Sequence, residues 1–407
     1  MLAWLLGCAL AVAAEDVPQF RGEGGLGVSR AKDVPLTWNE KENIRWKAVL
    51  PGKGLSSPVI AAGRVYVTAC TGASQKRLHV LCFDEITGKQ LWQRQFWATG
   101  TTLCHPKTNM AAPTPVTDGE RVCALFATGD LACLDRDGNL LWYRSLVGDY
   151  PTVGNNVGLA ASPTLWKDVL IVNLENVGES FAAGIDRTTG VNVWRVPRPR
   201  GLNWVSPLLI QNDGKTEVLL QGDDGLTAYD PGSGARKWAL ADKKFATIPS
   251  PTTGAGLVFA SADKFMAIRP GTTKQKPAVV WQSSKLPTGY ASPLFFDGRV
   301  YTISGRGILN CAEAGMGKAL WSLRVEGAFA ASPLLIDGKI YLVSEEGTTT
   351  IVDPGSQAKV VATNTLQETF LASPVAVNGA LFLRSDKHLY CVGEKPKKTG
   401  KKKAPGA

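Results

Sequence analysis

The segment CFDEITGKQLW, residues 82–92, carries the pattern from which the architecture follows. An apolar strand ends at Asp84, a glycine-containing turn follows, and the next strand carries Trp92. Less complete copies of the same pattern, of the same length, lie at residues 184–194 and 228–238. A strand–turn–strand unit that recurs with one tryptophan indicates a repeat protein, in which each unit buries its apolar face only against its neighbours.

A second landmark is a Ser-Pro or Thr-Pro pair, which occurs eight times at intervals of 40 to 57 residues. An apolar run follows each pair, and then usually a turn such as Asp297-Gly298, whose residues tolerate the positive φ of a tight hairpin. Each unit therefore predicts four strands, which is the period of a propeller blade. The prolines are Pro58, Pro115, Pro163, Pro207, Pro251, Pro293, Pro333 and Pro374.

The tryptophans form a third column, and their count predicts how the ring closes. Trp46 has no preceding strands of its own, and the unit that begins at Pro374 ends after its third strand, at residues 389–392. We therefore expect an all-β, single eight-bladed propeller whose last blade is completed by the N-terminal strand, an arrangement that removes two free sheet edges. Trp38 lies outside the column, and we expect it to contribute less to stability than Trp238. The column comprises Trp46, Trp92, Trp142, Trp194, Trp238, Trp281 and Trp321, with Val361 at the eighth position.

These columns resemble the quinoprotein-like (PQQ-like) propeller repeat over residues 38–393. A WD40 or kelch assignment is disfavoured, because the chain has no Trp-Asp dipeptide and no repeated Gly-Gly pairs. The resemblance implies that each of the seven tryptophans docks between neighbouring blades, with a weaker expectation for Val361. The opening PQFRG, residues 18–22, is similar to the mature start of secreted bacterial members. The family includes both pyrroloquinoline quinone (PQQ) dehydrogenases and non-catalytic scaffolds, such as the lipoprotein of the outer-membrane barrel-assembly machinery. Fold alone does not choose between these functions.

The N-terminus predicts export. Residues 2–14 are an apolar run too short to span a bilayer and end in small residues, which is typical of a signal peptide cleaved after Ala14. Lipid attachment at Cys8 is the alternative. No other segment is expected to cross a membrane, so we expect a periplasmic or secreted protein. The predicted organisation is a signal peptide (1–14), a lead-in segment (15–37), the propeller (38–393) and a Lys-rich tail (394–407).

The formal charge of +10 is uneven, because six lysines lie in the last thirteen residues. Such a tail cannot bury apolar surface and is expected to be disordered. Electrostatic contact with an anionic surface and simple solvation of the tail both remain open. The charge predicts no nucleic-acid partner.

Residues that quinone chemistry needs are missing from the sequence. The chain has no adjacent cysteine pair, no haem-attachment motif, and three scattered histidines. No His/Cys cluster has metal-ligand spacing. We therefore predict no catalytic residue, metal or cofactor, and a binding or scaffold module for a protein or polymer partner. The alternative is a dehydrogenase that holds PQQ with Ca²⁺.

Four cysteines have a structural interpretation. Cys82, Cys133, Cys311 and Cys391 occupy one repeat column that is small and apolar in other blades, so we expect buried thiols that do not pair with one another. Pairing among Cys70, Cys104 and Cys123 remains open.

The departures from the repeat indicate where a ligand would bind. Three long connections of blades one to three should open on the same face of the ring, and binding tends to reside in long loops on a rigid scaffold. The alternative is that these loops have changed in length and sequence without binding a ligand. Neutral amides dominate these loops, which favours a polar, weakly charged ligand or a peptide over a phosphate. The candidate residues are His105, Asn109, Asn155, Asn156, Glu175, Asn176, Arg200, Asn203 and Trp204.

Overall fold

A computed structural model describes residues 16–154, 157–241 and 243–395. These residues form eight sheets arranged as a ring, which confirms the all-β, eight-bladed propeller. The predicted signal peptide and nearly all of the predicted Lys-rich tail lie outside the described residues.

Seven of the eight blades are four-stranded antiparallel sheets whose first strand is innermost; the seventh blade has the same four strands and a fifth, parallel strand from the lead-in segment beside its first. The lead-in segment contributes a 3₁₀ turn at Glu23–Gly25 and β1 at Val28–Ser29, and one α-helix, α1 at Leu146–Asp149, follows the second blade. The blades are, in order: blade one, β3 Val59–Ala61, β4 Arg64–Thr71, β5 Arg77–Asp84, β6 Gln90–Trp97; blade two, β7 Val116–Thr117, β8 Arg121–Leu125, β9 Asp130–Asp135, β10 Leu140–Ser145; blade three, β11 Thr164–Trp166, β12 Val169–Leu174, β13 Phe181–Asp186, β14 Asn192–Pro197; blade four, β15 Leu208–Asn212, β16 Lys215–Gly222, β17 Gly225–Tyr229, β18 Arg236–Ala241; blade five, β19 Thr252–Gly254, β20 Leu257–Ser261, β21 Phe265–Arg269, β22 Ala278–Ser283; blade six, β23 Leu294–Phe296, β24 Arg299–Ile303, β25 Ile308–Glu313, β26 Ala319–Arg324; blade seven, β27 Leu334–Ile336, β28 Lys339–Val343, β29 Thr348–Asp353, β30 Lys359–Thr365; blade eight, β31 Val375–Val377, β32 Ala380–Arg384, β33 His388–Val392, and β2 Ile44–Val49.

The ring closes as the repeat count predicts. Strand β2 pairs antiparallel with β33 and places Trp46 opposite Cys391. The outermost strand of blade eight is therefore N-terminal in sequence and the other three are C-terminal. This pairing joins the two ends of the chain and leaves neither with an open edge in the ring.

The tryptophans join each blade to the next. Five column tryptophans donate their indole N–H to a backbone carbonyl oxygen of the following blade, in the turn between its third and fourth strands, at 2.8 to 2.9 Å. These tryptophans lie in blades one, two, three and five and in strand β2 of blade eight. The turn glycine lies against the ring, so that a Cβ on Gly234 would sit 2.8 Å from Trp194. In blade four, Trp238 donates instead to Glu217 of its own blade, at 2.7 Å. Trp321 of blade six packs at 5.9 Å from Tyr301, and its indole N–H has no partner in the described chain.

The missing eighth tryptophan has a topological reason. The strand register corrects the eighth column position to Ala362, which pairs with Ile351 as Trp92 pairs with Cys82, whereas Val361 lies at the neighbouring bulge. A column residue of blade seven would dock on the third-to-fourth-strand turn of blade eight, but the third and fourth strands of that blade come from opposite ends of the chain. Without that turn there is no glycine on which an indole could pack, and the half-buried Ala362 packs instead against the apolar cluster that contains Trp38.

The burial of Trp38 argues against the expectation that it contributes less to stability than Trp238. Although it lies outside the repeat column, it is only 4% exposed, compared with 6% for Trp238. It belongs to an apolar cluster shared by blades seven and eight, which also contains Tyr341 and Tyr390. Its backbone N–H donates to Asn364 at 2.8 Å. Trp38 thus fills space between the two blades that a column tryptophan does not join.

The four column cysteines are buried and free, as are Cys70 and Cys123. Cys123 and Cys133 face each other across adjacent strands, with 3.0 Å between their Sγ atoms. Burial raises the pKa of Cys82 and Cys311 to about 11 and that of Cys391 to about 12. Cys104 is the half-buried exception among the described cysteines.

We predict that Trp38→Ala and Trp238→Ala each lower the free energy of unfolding by about 3–5 kcal/mol, the usual range for emptying a buried aromatic site. Trp97→Ala is the control, because Trp97 is 61% exposed; it should cost well under about 1 kcal/mol. Denaturant titration measures all three. A loss for Trp38→Ala no larger than that for Trp97→Ala would show that Trp38 does not support the junction.

A matched glycine pair tests the docking contact itself. Gly234 and Gly214 both have positive φ, at 69° and 72°, but a Cβ at Gly214 would meet nothing within 4 Å. Either alanine substitution should cost about 1–2 kcal/mol for the left-handed backbone. Gly234→Ala should cost about 1–3 kcal/mol more, because the methyl group displaces the Trp194 ring. Equal losses in thermal unfolding would contradict the docking role.

The thiols should differ in reactivity. At pH 8, Cys82, Cys311 and Cys391 should resist an alkylating reagent in the folded protein, because burial and a raised pKa leave little accessible thiolate. Cys104 should react. Peptide mapping by mass spectrometry before and after denaturation measures both classes, and alkylation of the three buried cysteines at the rate of Cys104 would contradict their burial.

Candidate functional site

The inner ends of the blades surround a central channel. The channel encloses a cavity of about 260 Å³, and its wall includes the hydroxyl residue that precedes each landmark proline. Each blade contributes one such residue at the entry to its innermost strand, so the eight hydroxyl groups form a ring. We call this set the hydroxyl ring: Ser57, Thr114, Ser162, Ser206, Ser250, Ser292, Ser332 and Ser373.

A chain of hydrogen bonds links the members of the hydroxyl ring. In seven consecutive pairs, the backbone N–H of one member donates to the side-chain oxygen of the next, at 2.9 to 3.1 Å. Ser57 donates to Thr114, and the series continues around the ring to Ser373. The landmark pairs therefore do more than start a strand, because their hydroxyl residues join neighbouring blades at the channel wall in seven of the eight junctions.

The series is interrupted where blade eight meets blade one. The side-chain oxygen of Ser57 has no hydrogen-bond partner in the described chain. Beside it, the buried guanidinium of Arg384 donates to the carbonyl oxygen of Ser56 at 3.0 Å, to its hydroxyl group, and to the carbonyl oxygen of Thr68 at 2.5 Å. No carboxylate of the described chain pairs with Arg384, and burial lowers its pKa to about 9. The guanidinium is therefore still charged at neutral pH.

Above the hydroxyl ring, the channel wall is apolar. The residue two positions before each hydroxyl residue points into the cavity, and most of these are small or aliphatic. Two are aromatic, Trp204 and Tyr290. Trp204 is held in place because its indole N–H donates to the carbonyl oxygen of Gly158 at 2.7 Å. The whole apolar ring comprises Leu55, Ala112, Ala160, Trp204, Ile248, Tyr290, Ala330 and Leu371.

The long connection between blades one and two crosses the mouth of the channel. Lys107 on this connection forms an ion pair with Glu345 of blade seven, at 2.9 and 3.0 Å to its two oxygens. Its ammonium group also lies 5.7 Å from the ring of Tyr290, in blade six. The hydrogen bond to Glu345 raises the pKa of Lys107. This connection, which also carries His105, therefore spans the mouth and narrows it.

The lead-in segment closes the opposite end. Phe20 lines the cavity from below, and Arg21 lies beneath it, donating to the carbonyl oxygen of Pro251 at 3.3 Å and to that of Pro293. Burial lowers the pKa of Arg21 to about 9, and no carboxylate of the described chain pairs with it. Neighbouring residues of the segment contact the other blades. In blades one to three, Val17 pairs with Ile60, Pro18 accepts from Thr117, and Gln19 accepts from Leu165. Leu26 packs in the cluster of blades four and five, Gly27 accepts from Leu335 of blade seven, and Ser29 donates to Ala376 of blade eight. The channel is therefore a pocket with a floor.

Two of the nine candidate residues line this pocket. His105 is exposed at the mouth, and Trp204 lies in the apolar ring. Arg200 is exposed on the same face but does not line the cavity. Asn155 and Asn156 lie outside the described residues.

The remaining four candidates are buried, and the chain itself uses their polar atoms. Asn109 accepts from the N–H of Ala111 at 2.9 Å. Asn176 accepts from Gly154 and Gly178 at 2.8 and 2.7 Å, and its amide group donates to two carbonyl oxygens. These bonds hold their own loops in shape, as buried polar groups require.

Glu175 and Asn203 belong to a buried network between blades three and four. Glu175 forms an ion pair with Arg198 at 2.6 Å and accepts from Asn203 at 2.8 Å. Burial raises the pKa of Glu175, and the ion pair opposes that shift. Asn203 also donates to the carbonyl oxygen of Gln221 at 2.6 Å. The network stabilises the entry to blade four, and its role in binding stays a prediction.

Sequence reasoning did not single out the hydroxyl ring as a site. Its signal was present, because the Ser-Pro and Thr-Pro pairs recur at the same point of every blade. Residues that begin innermost strands must meet at the axis of a propeller, so the repeat itself could have identified them.

The chemistry available elsewhere is limited. Ser385 and the His388 ring both bind Glu368, the ring at 2.7 Å, and Ser385 contacts His388 only through its backbone, whose N–H donates to the serine at 2.8 Å. A nucleophile and its base need a direct hydrogen bond, which this cluster lacks. Among the described residues, no group of three or more His, Cys, Asp or Glu side chains could hold a metal ion.

The pocket does not fit a calcium-dependent quinone. Ca²⁺ needs carboxylate ligands, and none of the described residues that line the channel is Asp or Glu. The protein also has no adjacent cysteine pair to lie against a quinone.

Within residues 16–154, 157–241 and 243–395, no helix is long and apolar enough to cross a membrane.

The blades, the tryptophan docking and the channel define an eight-bladed propeller of PQQ-like repeats. The sequence matches the family model described as outer membrane protein assembly factor BamB, over residues 22–206 and 272–358. Because the match covers more than half of the chain, the protein belongs to this family.

Solved structures share the fold at low sequence identity. BamB from Moraxella catarrhalis has a TM-score of 0.64 and 18% identity, covering 87% of this chain and 98% of that one. Quinohemoprotein alcohol dehydrogenase from Comamonas testosteroni has a TM-score of 0.68 and 13% identity, covering 95% and 82%. A europium-containing methanol dehydrogenase has a TM-score of 0.64 and 12% identity, covering 92% and 90%. The sequence matches no curated protein at a significant level. Such identities show the fold alone, because one fold carries both assembly factors and enzymes.

Proposed function

We propose that this protein is an exported scaffold that binds a segment of a partner protein at the mouth of its central channel. The family match to an outer-membrane assembly factor supports both export and a protein partner. The observation that carries the proposal is the shape of the channel, which has a floor at Phe20 and a mouth on the face with the long connections.

The chemistry of the mouth suits a peptide. Trp204 and Tyr290 offer aromatic surface, and Lys107 and His105 offer polar contacts at the rim. Tryptophan and tyrosine in a partly enclosed pocket are frequent anchors of protein interfaces. His105, Arg200 and Trp204 are the members of the candidate set that a bound segment could reach, and the buried amides would act by holding the loops.

The volume of the cavity limits the size of the group that can enter it. Its volume of about 260 Å³ lies just below the range of roughly 300–1,000 Å³ that is usual for sites of drug-sized ligands. One or two residues of a partner would fill it, and the rest of the segment would lie on the rim. A partner held in this way would depend strongly on the one side chain that enters.

Selection from a random peptide library tests the proposal. We expect the selected peptides to protect residues 105–112, 204–206 and 290–292 from hydrogen exchange. Trp204→Ala should weaken their binding about 30-fold, as expected for an aromatic anchor worth about 2 kcal/mol.

Trp166→Ala is the matched control, because Trp166 is half-buried like Trp204 but lies at the first hairpin of blade three, on the opposite face. It should leave binding unchanged, and unfolding curves should verify that both variants fold. The proposal fails if no peptide is selected, if protection falls on the opposite face, or if both variants bind equally well.

A further inference from the structure

The hydroxyl ring presents hydrogen-bond donors to the channel. Seven of its oxygens accept a backbone N–H from the neighbouring blade, and within the described chain none of the eight hydroxyl groups donates to a protein acceptor. A hydroxyl oxygen that already accepts an N–H still has its own hydrogen to donate. The eight residues line a pocket whose described lining contains no carboxylate.

Two buried positive charges lie close to this ring. Arg21 lies under the floor, and its guanidinium reaches the carbonyl oxygens of Pro251 and Pro293, each next to a ring member. Arg384 lies behind the wall, bonded to Ser56, which adjoins Ser57. The Nε atom of each arginine is buried with no hydrogen-bond partner in the described chain. An uncompensated charge in a low-dielectric interior is costly, and an anion nearby would offset that cost.

The interruption of the hydrogen-bond series makes one side of the pocket chemically different from the others. Ser57 has the one ring oxygen that no described N–H engages, and it lies on the side of the pocket where Arg384 sits. Above the hydroxyl ring, Leu55 and Leu371 form apolar wall on the side of Ser57, and Trp204 and Tyr290 form it where blades four and six begin. The pocket thus has a donor-rich, positively charged base and an apolar upper part.

We infer that the channel is a carboxylate site, which takes the terminal carboxylate of a peptide at the hydroxyl ring and its last, apolar side chain against Trp204 and Tyr290. The inference rests on the proposed function and names the part of the partner that enters. A carboxylate on an apolar body is the shared chemistry, whether it belongs to a peptide end or to a small free acid. The carboxylate accepts from several hydroxyl groups at once, and such charge-assisted hydrogen bonds are stronger than neutral ones.

Calorimetric titration with three compounds tests the inference. They are an N-acetylated tripeptide of two alanines and a C-terminal phenylalanine, the same peptide with a C-terminal amide, and 3-phenylpropionate. The free-acid peptide should bind at least about tenfold more tightly than the amide, which cannot offer an anion to the ring. Binding of 3-phenylpropionate as tight as that of the acid peptide would assign the site to small acids and still support a carboxylate site.

A serine pair supplies the matched variants. Ser57→Ala removes a hydroxyl group that holds no protein atom, and it should weaken the free-acid peptide about tenfold while leaving the amide unchanged. Ser74→Ala is the control, because Ser74 is exposed on the second-to-third-strand turn of blade one. Arg21→Met should reduce the preference for the acid further, and if that variant unfolds, the serine pair still decides the question.

Two results would overturn the carboxylate site. One is equal binding of the acid and the amide, with protection of the channel mouth from hydrogen exchange; this outcome would leave the proposed function standing. The other is the absence of binding by all three compounds. If library peptides also fail to protect the mouth, the proposed function fails independently.

Discussion

The pairing of β2 with β33 is the constraint on which the rest of the structure depends. Each blade buries its apolar surface only against its neighbours, so an open ring would expose the faces of two blades. Joining the two ends of the chain in one sheet removes those faces and fixes the number of blades around the channel. The position of every innermost strand, and therefore of every hydroxyl residue at the axis, follows from this closure.

Closure also makes both junctions of blade eight, with blade seven and with blade one, depart from the repeat. Because the third and fourth strands of blade eight are not connected, no turn exists for a residue at position 362 to dock on, and Trp38 fills the nearby space instead. At the junction of blade eight with blade one, the chain of ring hydrogen bonds stops and Arg384 enters the wall. A ring built from similar repeats is symmetric, and a single ligand can be oriented only where that symmetry is broken. Blade eight, which closes the ring, breaks this symmetry.

The lead-in segment turns the channel into a pocket. A propeller of this size is open at both ends of its axis unless another element covers one of them. Here six residues in a row, 16–21, cross from blade one towards blades five and six and place Phe20 at the axis. The same segment buries Arg21 without a carboxylate partner. An unpaired charge in such a place is costly to stability, and an anion bound in the pocket would offset part of that cost.

The amino-acid sequence by itself determined the number of blades, the order of strands within each, the tryptophan column and the closure by the N-terminal strand. These features repeat along the chain or follow from counting, so local patterns of apolar residues and turn residues are sufficient to predict them. The candidate site could be predicted only in part: His105 and Trp204 line the pocket, whereas Asn176 and Asn203 are consumed by bonds within the chain. Whether a polar side chain faces a ligand or its own backbone depends on the groups packed around it, and those come from distant parts of the sequence. The tertiary structure alone decided the role of Trp38, the placement of Phe20 and Arg21 beneath the channel, and the meeting of eight hydroxyl groups at its axis. Each of these depends on contacts between residues far apart in the chain, which no local pattern records.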